Sequence, residues 1–290
     1  VKILLIGKNG QVGWELARVL TPLGEVMALD RTALDLAVPD QIVSTVRSLR
    51  PDLIVNAAAY TDVERAESEP GVAMQVNGVA PAILAEEGRR LGALLIHYST
   101  DYVFDGTKPT PYVETDLPNP INSYGRSKLE GERAIQASGC RHLVLRTSWV
   151  YGTRGRNFLL TILRRARELP ELKIVDDQIG TPTWCRDVAT GTAQLARVAA
   201  VGKLEGLYHL TSAGATSWCG FAREILRTSG IPTPVRAIAT KDHVSRVKRP
   251  ANSILSSATI ATRWNLLLPP WQTSLEFCLR EGGGSASARR

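Results

Sequence analysis

Apolar residues in this chain come in two textures. Continuous runs appear at 1–6 (VKILLI), 25–30 (EVMALD), 52–59 (DLIVNAAA), 93–100 (ALLIHYST) and 142–148 (HLVLRTS). Between them lie stretches with apolar residues at helical spacing, such as QVGWELARVL from Gln11 and QIVSTVRSLR from Gln41. A strand covered on both faces needs apolar residues at consecutive positions, whereas a helix that covers one face needs them every three or four. Alternation of the two over the first 150 residues predicts an α/β fold with a doubly wound parallel sheet. After Tyr151 the pattern loosens. A helix is expected around 157–169, a strand at LKIVDD, a helix from near Trp184, a strand at GLYHLTS and a helix at SWCGFAREILRTSG, closed by Gly230. The stretch 108–120 holds four prolines and cannot form a central element. Residues 231–253 are similarly interrupted and read as a loop over a binding site, and GGGSASARR from Gly282 reads as a flexible tail.

Composition narrows the class without naming a chemistry. The 290 residues are 44% hydrophobic and 22% charged, which is globular and excludes collagen-like, disordered and coiled-coil classes. No apolar run approaches a membrane-spanning length, and no charged n-region with a small-residue cleavage site marks a leader, so a cytosolic protein without a membrane partner is expected. The net charge of +7 is scattered, with short basic clusters only at 164–168 and 245–250, so no nucleic-acid partner is expected. The four cysteines, Cys140, Cys185, Cys219 and Cys278, form no CxxC pair and read as reduced structural thiols. The four histidines show no metal-ligand spacing and read as core or surface residues.

Three segments carry chemistry. Gly7-Lys8-Asn9-Gly10-Gln11-Val12-Gly13 follows the first strand and opens the first helix. Glycines there let a backbone approach a pyrophosphate, and the helix start offers free N–H donors. This makes the sheet a Rossmann-type dinucleotide site. Asp30, at the end of the second strand, suits a ribose 2′-hydroxyl, while Lys8 and Arg31 suit a 2′-phosphate, so NADPH and NADH both stay open. Asn56-Ala57-Ala58-Ala59 ends the third strand with small residues over which a flat cofactor can lie. Tyr124 and Lys128, four apart, fall on one helix face, where a lysine charge would lower the phenol's pKa toward neutrality. His97-Tyr98-Ser99-Thr100-Asp101 brings hydroxyls to the end of the fourth strand. The expected division is a dinucleotide-binding domain over 1–150 and roughly 184–205, with a smaller α/β substrate-binding domain over 151–183 and 206–281.

The order of these motifs resembles the extended short-chain dehydrogenase/reductases. Within them, GKNGQVGWEL, RPDLIVNAAAYTDVERAESEP, HYSTDYVFDG, YGRSKLEGE, LRTSWVYG and RPANS resemble the dTDP-4-dehydrorhamnose reductase family over roughly residues 1–280. The resemblance implies reduction of a dTDP-4-dehydro sugar by NADPH or NADH. It implies catalytic roles for Tyr124, Lys128 and Thr100. It places Gly7, Gly10, Gln11, Val12, Gly13, Asp30, Asp35, Leu36, Ala59, Tyr60, Thr61, Tyr98, Tyr124 and Lys128 around the cofactor. Thr100, Asp101, Trp149, Arg249 and Asn252 would meet the substrate. A dTDP-sugar is the implied partner, with the chain a monomer or homodimer. Some members are reported to form magnesium-linked dimers through acidic residues; here Glu15 is present, but Arg186 stands where such members carry an acid, which argues against Mg2+. An epimerase or dehydratase shares the glycine turn and YxxxK, although Tyr102 rather than an acid follows Asp101, against dehydration. A non-catalytic regulatory subunit on the same fold is the reading from outside enzymes.

Overall fold

A computed structural model describes residues 1–287 apart from 201, 203 and 246. The chain begins β1 (Lys2–Ile6), α1 (Gln11–Val19), β2 (Glu25–Leu29), α2 (Pro39–Leu49) and β3 (Leu53–Asn56). Two short helices, α3 (Val63–Ser68) and α4 (Pro70–Met74), lead through a wide turn into α5 (Ala80–Leu91) and β4 (Leu94–Thr100). Then come α6 (Ser123–Ala137), β5 (His142–Thr147), β6 (Val150–Tyr151), α7 (Phe158–Glu168), β7 (Leu172–Val175), β8 (Ile179–Gly180) and β9 (Thr183–Trp184). The chain closes with α8 (Cys185–Ala200), β10 (Gly206–His209), β11 (Thr216–Ser217), α9 (Trp218–Thr228), β12 (Val235–Ile238), α10 (Ala258–Trp264) and α11 (Trp271–Ser287).

Six strands form one parallel sheet in the order β10-β5-β4-β3-β1-β2. The continuous apolar runs are explained by what covers them. Ile3, Leu5 and Val55 point into the core that α1 and α8 cover, while Leu4, Ile6 and Ile54 point into the core under α2 and α5. The chain leaves β1 toward β2 on one side and returns to place β3 on the other, so a crevice opens at the carboxyl ends of β1 and β3. A third core, around Tyr151, Leu159, Ile162, Phe221, Ile225 and Leu275, joins α7, α9 and α11 beside that crevice.

Three expectations change. Residues 206–209 were assigned to the smaller domain, but β10 pairs with β5 in the main sheet, and Leu266 and Leu268 fill the core beneath it. The 231–253 stretch is not all loop, since β12 pairs with β7 in a two-stranded sheet. An edge strand tolerates the prolines that precede it. Residues 282–287 continue α11 instead of forming a separate tail; 288–290 lie outside the described residues. All four cysteines are buried and free.

The helix that matters most for the crevice, α6, is held on its inner side by an ion pair. Arg146 of β5 donates Nε to Glu132 Oε1 at 2.9 Å and Nη2 to Oε2 at 2.6 Å, with both side chains 3% exposed or less. Neighbouring His209 is kept neutral, its pKa pushed down to about 4 chiefly by burial. Removing one partner of a buried pair strands the other charge. Arg146→Met should therefore cost about 3–5 kcal/mol of stability, read as a lower urea midpoint with an unchanged slope; a loss under about 1 kcal/mol, the range of an exposed pair, would show that the pair is not structural.

Candidate active site

The crevice is a cleft of about 780 Å³ at the carboxyl edge of the sheet. Its floor is the turn between β1 and α1. Gly7 has a φ of +90° and lies so close to β3 that a Cβ would sit 2.8 Å from Ala58 N. Gly13 does not line the cleft; a Cβ there would collide with Gly7 O, so it serves helix–strand packing. Gly10 precedes α1 with no side-chain cap, leaving the first helical N–H groups directed at the cleft. At the rim, Asp30 accepts from Thr32 Oγ1 at 2.6 Å and Asn9 Nδ2 at 3.2 Å, and Lys8 Nζ lies 3.3 Å away. The Thr32 hydroxyl above all, then Lys8, pull its pKa down to about 2. Arg31 pairs with Asp35 at 3.2 Å. The other expected cofactor residues, Gln11, Val12, Leu36, Ala59, Tyr60, Thr61 and Tyr98, also face the cleft. A turn that side chains would block, a free helix start and a rim carboxylate fit a dinucleotide.

Deeper in, β4 and α6 bring Thr100, Asp101, Tyr124 and Lys128 to the same cleft. Helix α6 starts sharply because Asn122 Oδ1 accepts Gly125 N–H at 2.8 Å and Glu67 accepts Ser123 N–H at 2.6 Å. The Thr100 hydroxyl donates to Asp101 Oδ1 at 3.0 Å. The Tyr124 ring meets Tyr102 edge-on at 5.8 Å. Burial pushes the Tyr124 phenol up to about 12, with the Thr100 hydroxyl pulling the other way and the Asp101 charge adding to the rise. The phenol is thus held protonated, not lowered as the Tyr–Lys spacing suggests. Lys128 turns elsewhere: its Nζ donates to Tyr98 O at 2.6 Å and lies 3.2 Å from His97 Nε2. Burial brings Lys128 down to about 8 against the opposing influence of Glu132.

The far wall is aromatic. Trp149, with a φ of +47°, stacks on Trp218 at 3.4 Å and 5° between planes, and a Cβ on Gly180 would collide with the Trp149 ring. Trp218 had no signal in the sequence, since its partner is 69 residues away and both come from loops or helix starts. His97 could have been noticed as the one imidazole in a strand run that is buried throughout. Arg249 and Asn252 are not in the cleft wall. Arg249 Nη2 donates to Glu64 Oε1 at 2.9 Å, and Asn252 Nδ2 is spent on the carbonyls of Lys108 and Thr110 at 2.7 and 3.1 Å. Glu15, considered for a metal bridge, is nearly buried and takes Arg186 Nε at 3.0 Å, while Arg186 also pairs with Glu281. A carboxylate already covered by a guanidinium does not fit a cation.

A parallel doubly wound sheet, a glycine turn at its crevice and a Tyr-x-x-x-Lys helix facing the same cleft define a Rossmann-type enzyme of the extended short-chain dehydrogenase/reductase class. The chain belongs to the family described as RmlD substrate binding domain, whose model matches residues 1–283. It is 47% identical to a dTDP-4-dehydrorhamnose reductase of Burkholderia thailandensis over 97% of this chain and 99% of that protein. It is 44% identical to that of Escherichia coli over 97% and 98%. A crystal structure of dTDP-4-dehydrorhamnose reductase from Bacillus anthracis in complex with NADP superposes with a TM-score of 0.91 at 33% identity, covering 97% of this chain and 99% of that one.

Asp101 gives the site a measurable stability cost. Burial raises its pKa from 3.8 to about 7, with the Ser253 and Thr100 hydroxyls only partly opposing. Below the unfolded value, folded and unfolded forms are both protonated and nothing is lost. Between the two values only the unfolded form ionises, so stability falls as pH rises, and the loss is complete above the folded value. Asp101→Asn should therefore raise the unfolding temperature at pH 8 by the equivalent of at most about 4 kcal/mol and leave it nearly unchanged at pH 4. Equal effects at both pH values would mean that the carboxyl is not held neutral.

Proposed function

We propose that the chain reduces the C4 keto group of dTDP-4-dehydro-L-rhamnose to the hydroxyl of dTDP-L-rhamnose, with NADPH or NADH as hydride source. The observation that carries this reading is the meeting, in one cleft, of the glycine turn with the half-buried Tyr124 and the buried Thr100, in a chain 47% identical to a reductase of that name over nearly its whole length. The bound dinucleotide supplies the hydride to C4. The chain's own residues hold and finish the reaction. Gly7, Gly10 and the start of α1 receive the pyrophosphate, and Asp30 with Lys8 meets the adenosine ribose. As C4 gains the hydride, its oxygen becomes an alkoxide. Tyr124 is the proton donor to that oxygen, because a phenol held up at about 12 is protonated throughout the neutral range. Thr100 offers a second hydrogen bond to the same oxygen. Lys128 belongs beside the nicotinamide ribose, where its charge supports the phenolate left behind. Trp149, braced by Trp218, forms the wall that receives the sugar, so the lobe around α7, α9 and α11 is the substrate side.

The test follows loss of reduced-nicotinamide absorbance with enzymatically prepared substrate. Tyr124→Phe should retain cofactor binding and lose a factor of about 10²–10⁴ in kcat, the worth of a positioned general acid. Thr100→Val should lose about 10²–10³, the worth of one donor to a developing oxyanion. Near-native turnover in Tyr124→Phe would remove that residue from the acid role, and cofactor binding without any substrate-dependent oxidation in the native protein would overturn the reductase reading.

The choice between the two cofactors turns on four rim charges that cancel: Lys8 with Asp30 and Arg31 with Asp35. A 2′-hydroxyl can donate to Asp30, and a 2′-phosphate can draw Lys8 away from it. Both cofactors should serve. Lys8→Ala should raise the KM for NADPH about tenfold relative to NADH, the loss of one charge-assisted contact of about 1–2 kcal/mol. An unmoved ratio would place recognition of the phosphate elsewhere.

A further inference from the structure

Lys128 shares its burial with an imidazole that the proposed reaction does not use. His97 lies in β4 with 1% of its surface exposed, between Asn56 of β3 and Lys128 of α6. Its Nδ1 is 3.1 Å from Asn56 Nδ2, and its Nε2 is 3.2 Å from Lys128 Nζ. The Asn56 amide is not free to turn, because its Oδ1 accepts Ala58 N–H at 3.2 Å. Nδ2 therefore donates to His97 Nδ1. A neutral imidazole that accepts at Nδ1 carries its proton on Nε2. That N–H points at Lys128. A neutral amine can accept it through its lone pair; an ammonium has three donors and no acceptor. Tyr98 O takes a Lys128 N–H in either state. The opposite register puts the proton on Nδ1 and lets Nε2 accept from the ammonium. It requires the Asn56 amide to turn and abandon Ala58 N–H, at the strand end that forms the cleft wall.

We propose that His97 is a positioning residue that selects the charge state of Lys128, with Asn56 setting its tautomer from the far side of the ring. This rests on the placement of Lys128 beside the cofactor and Tyr124. Few charged or titratable groups surround the pair. Glu132, one turn further along α6, favours the ammonium but is spent in its pair with Arg146 of β5. Tyr124 lies one turn earlier on α6, and Asp101 stands just beyond β4. Burial holds Lys128 down at about 8, and burial together with the lysine charge holds His97 well below its ordinary value of 6.5. Lys128 is therefore close to balance between its two forms, and a hydrogen bond of one register or the other decides where the balance falls.

The experiment has two arms. In the first, the native protein with nitrogen-15 histidine is examined by long-range proton–nitrogen correlation, with His97→Gln identifying the His97 signals. The Nε2–H tautomer is expected; a proton on Nδ1 would overturn the proposal. This arm needs no substrate, so a native protein without turnover would fail the reductase assignment alone. In the second, kcat is followed against pH in Asn56→Asp and His97→Gln. A carboxylate at 56 accepts from Nδ1–H, inverting the register so that Nε2 accepts from the ammonium, and a glutamine at 97 can present its carbonyl to the same group. In both variants the alkaline limb should move up by about one pH unit, and the Asn56→Asp ring should carry its proton on Nδ1. A merely structural role lowers kcat across the whole profile and leaves the limb in place, and that result in folded variants would overturn the proposal.

Discussion

Three side chains on the inner face of α6, Tyr124, Lys128 and Glu132, stand one turn apart, and the last of them is tied to β5 by the buried pair with Arg146. The pair fixes how far along and how deep the helix lies against the sheet, since two parallel hydrogen bonds between planar groups tolerate little rotation or sliding. That depth is what brings the phenol and the amine under the ends of β3 and β4. The opposite end of α6 is held by Asn122 and by Glu67 across from α3. A helix pinned at its start and near its middle presents Tyr124 to the cleft from a rigid element.

Burial governs the chemistry of the whole inner cleft. Asp101, Tyr124, Lys128 and His97 are each pushed toward the neutral form, the carboxyl and phenol upward and the amine and imidazole downward. None of these shifts is led by a formal charge partner. The Arg146–Glu132 pair, which could have supplied one, is internally compensated. A site made of neutral, hydrogen-bonded groups can exchange protons with little rearrangement, and it costs folding free energy that the two flanking apolar cores must offset. The rim behaves in the opposite way. There Asp30 and Asp35 are solvated and paired with Lys8 and Arg31, and their carboxyls are held down.

The sheet and its cofactor edge were legible in the sequence because they depend on local signals. A run such as DLIVNAAA states both that a strand is covered on two faces and that it ends in small residues, and Gly10 and Gly13 each answer a steric demand set by Gly7 within the same turn. The Tyr–Lys spacing likewise placed two groups on one helix face. What spacing could not give was direction. It suggested that Lys128 acts on the phenol through space, whereas the amine is turned toward Tyr98 O and His97, groups contributed by a strand some thirty residues earlier. Arg249 and Asn252 illustrate the same limit, since a motif names residues without saying that Glu64 and the 108–110 backbone already engage them.

The aromatic wall was the least legible part, for a physical reason. Its defining contact joins Trp149, after β5, to Trp218, at the start of α9, and the backbone at Trp149 takes a positive φ that a large side chain adopts only when its surroundings hold it. Those surroundings are the face of Trp218 on one side and a glycine, Gly180, on the other, where any side chain would intrude on the indole. Three segments with no shared periodicity thus determine one aromatic plane. The glycine turn and helix start come from a single stretch of chain, whereas the aromatic wall is assembled from segments distant in sequence. The two halves of the cleft therefore differ in how sequence specifies them.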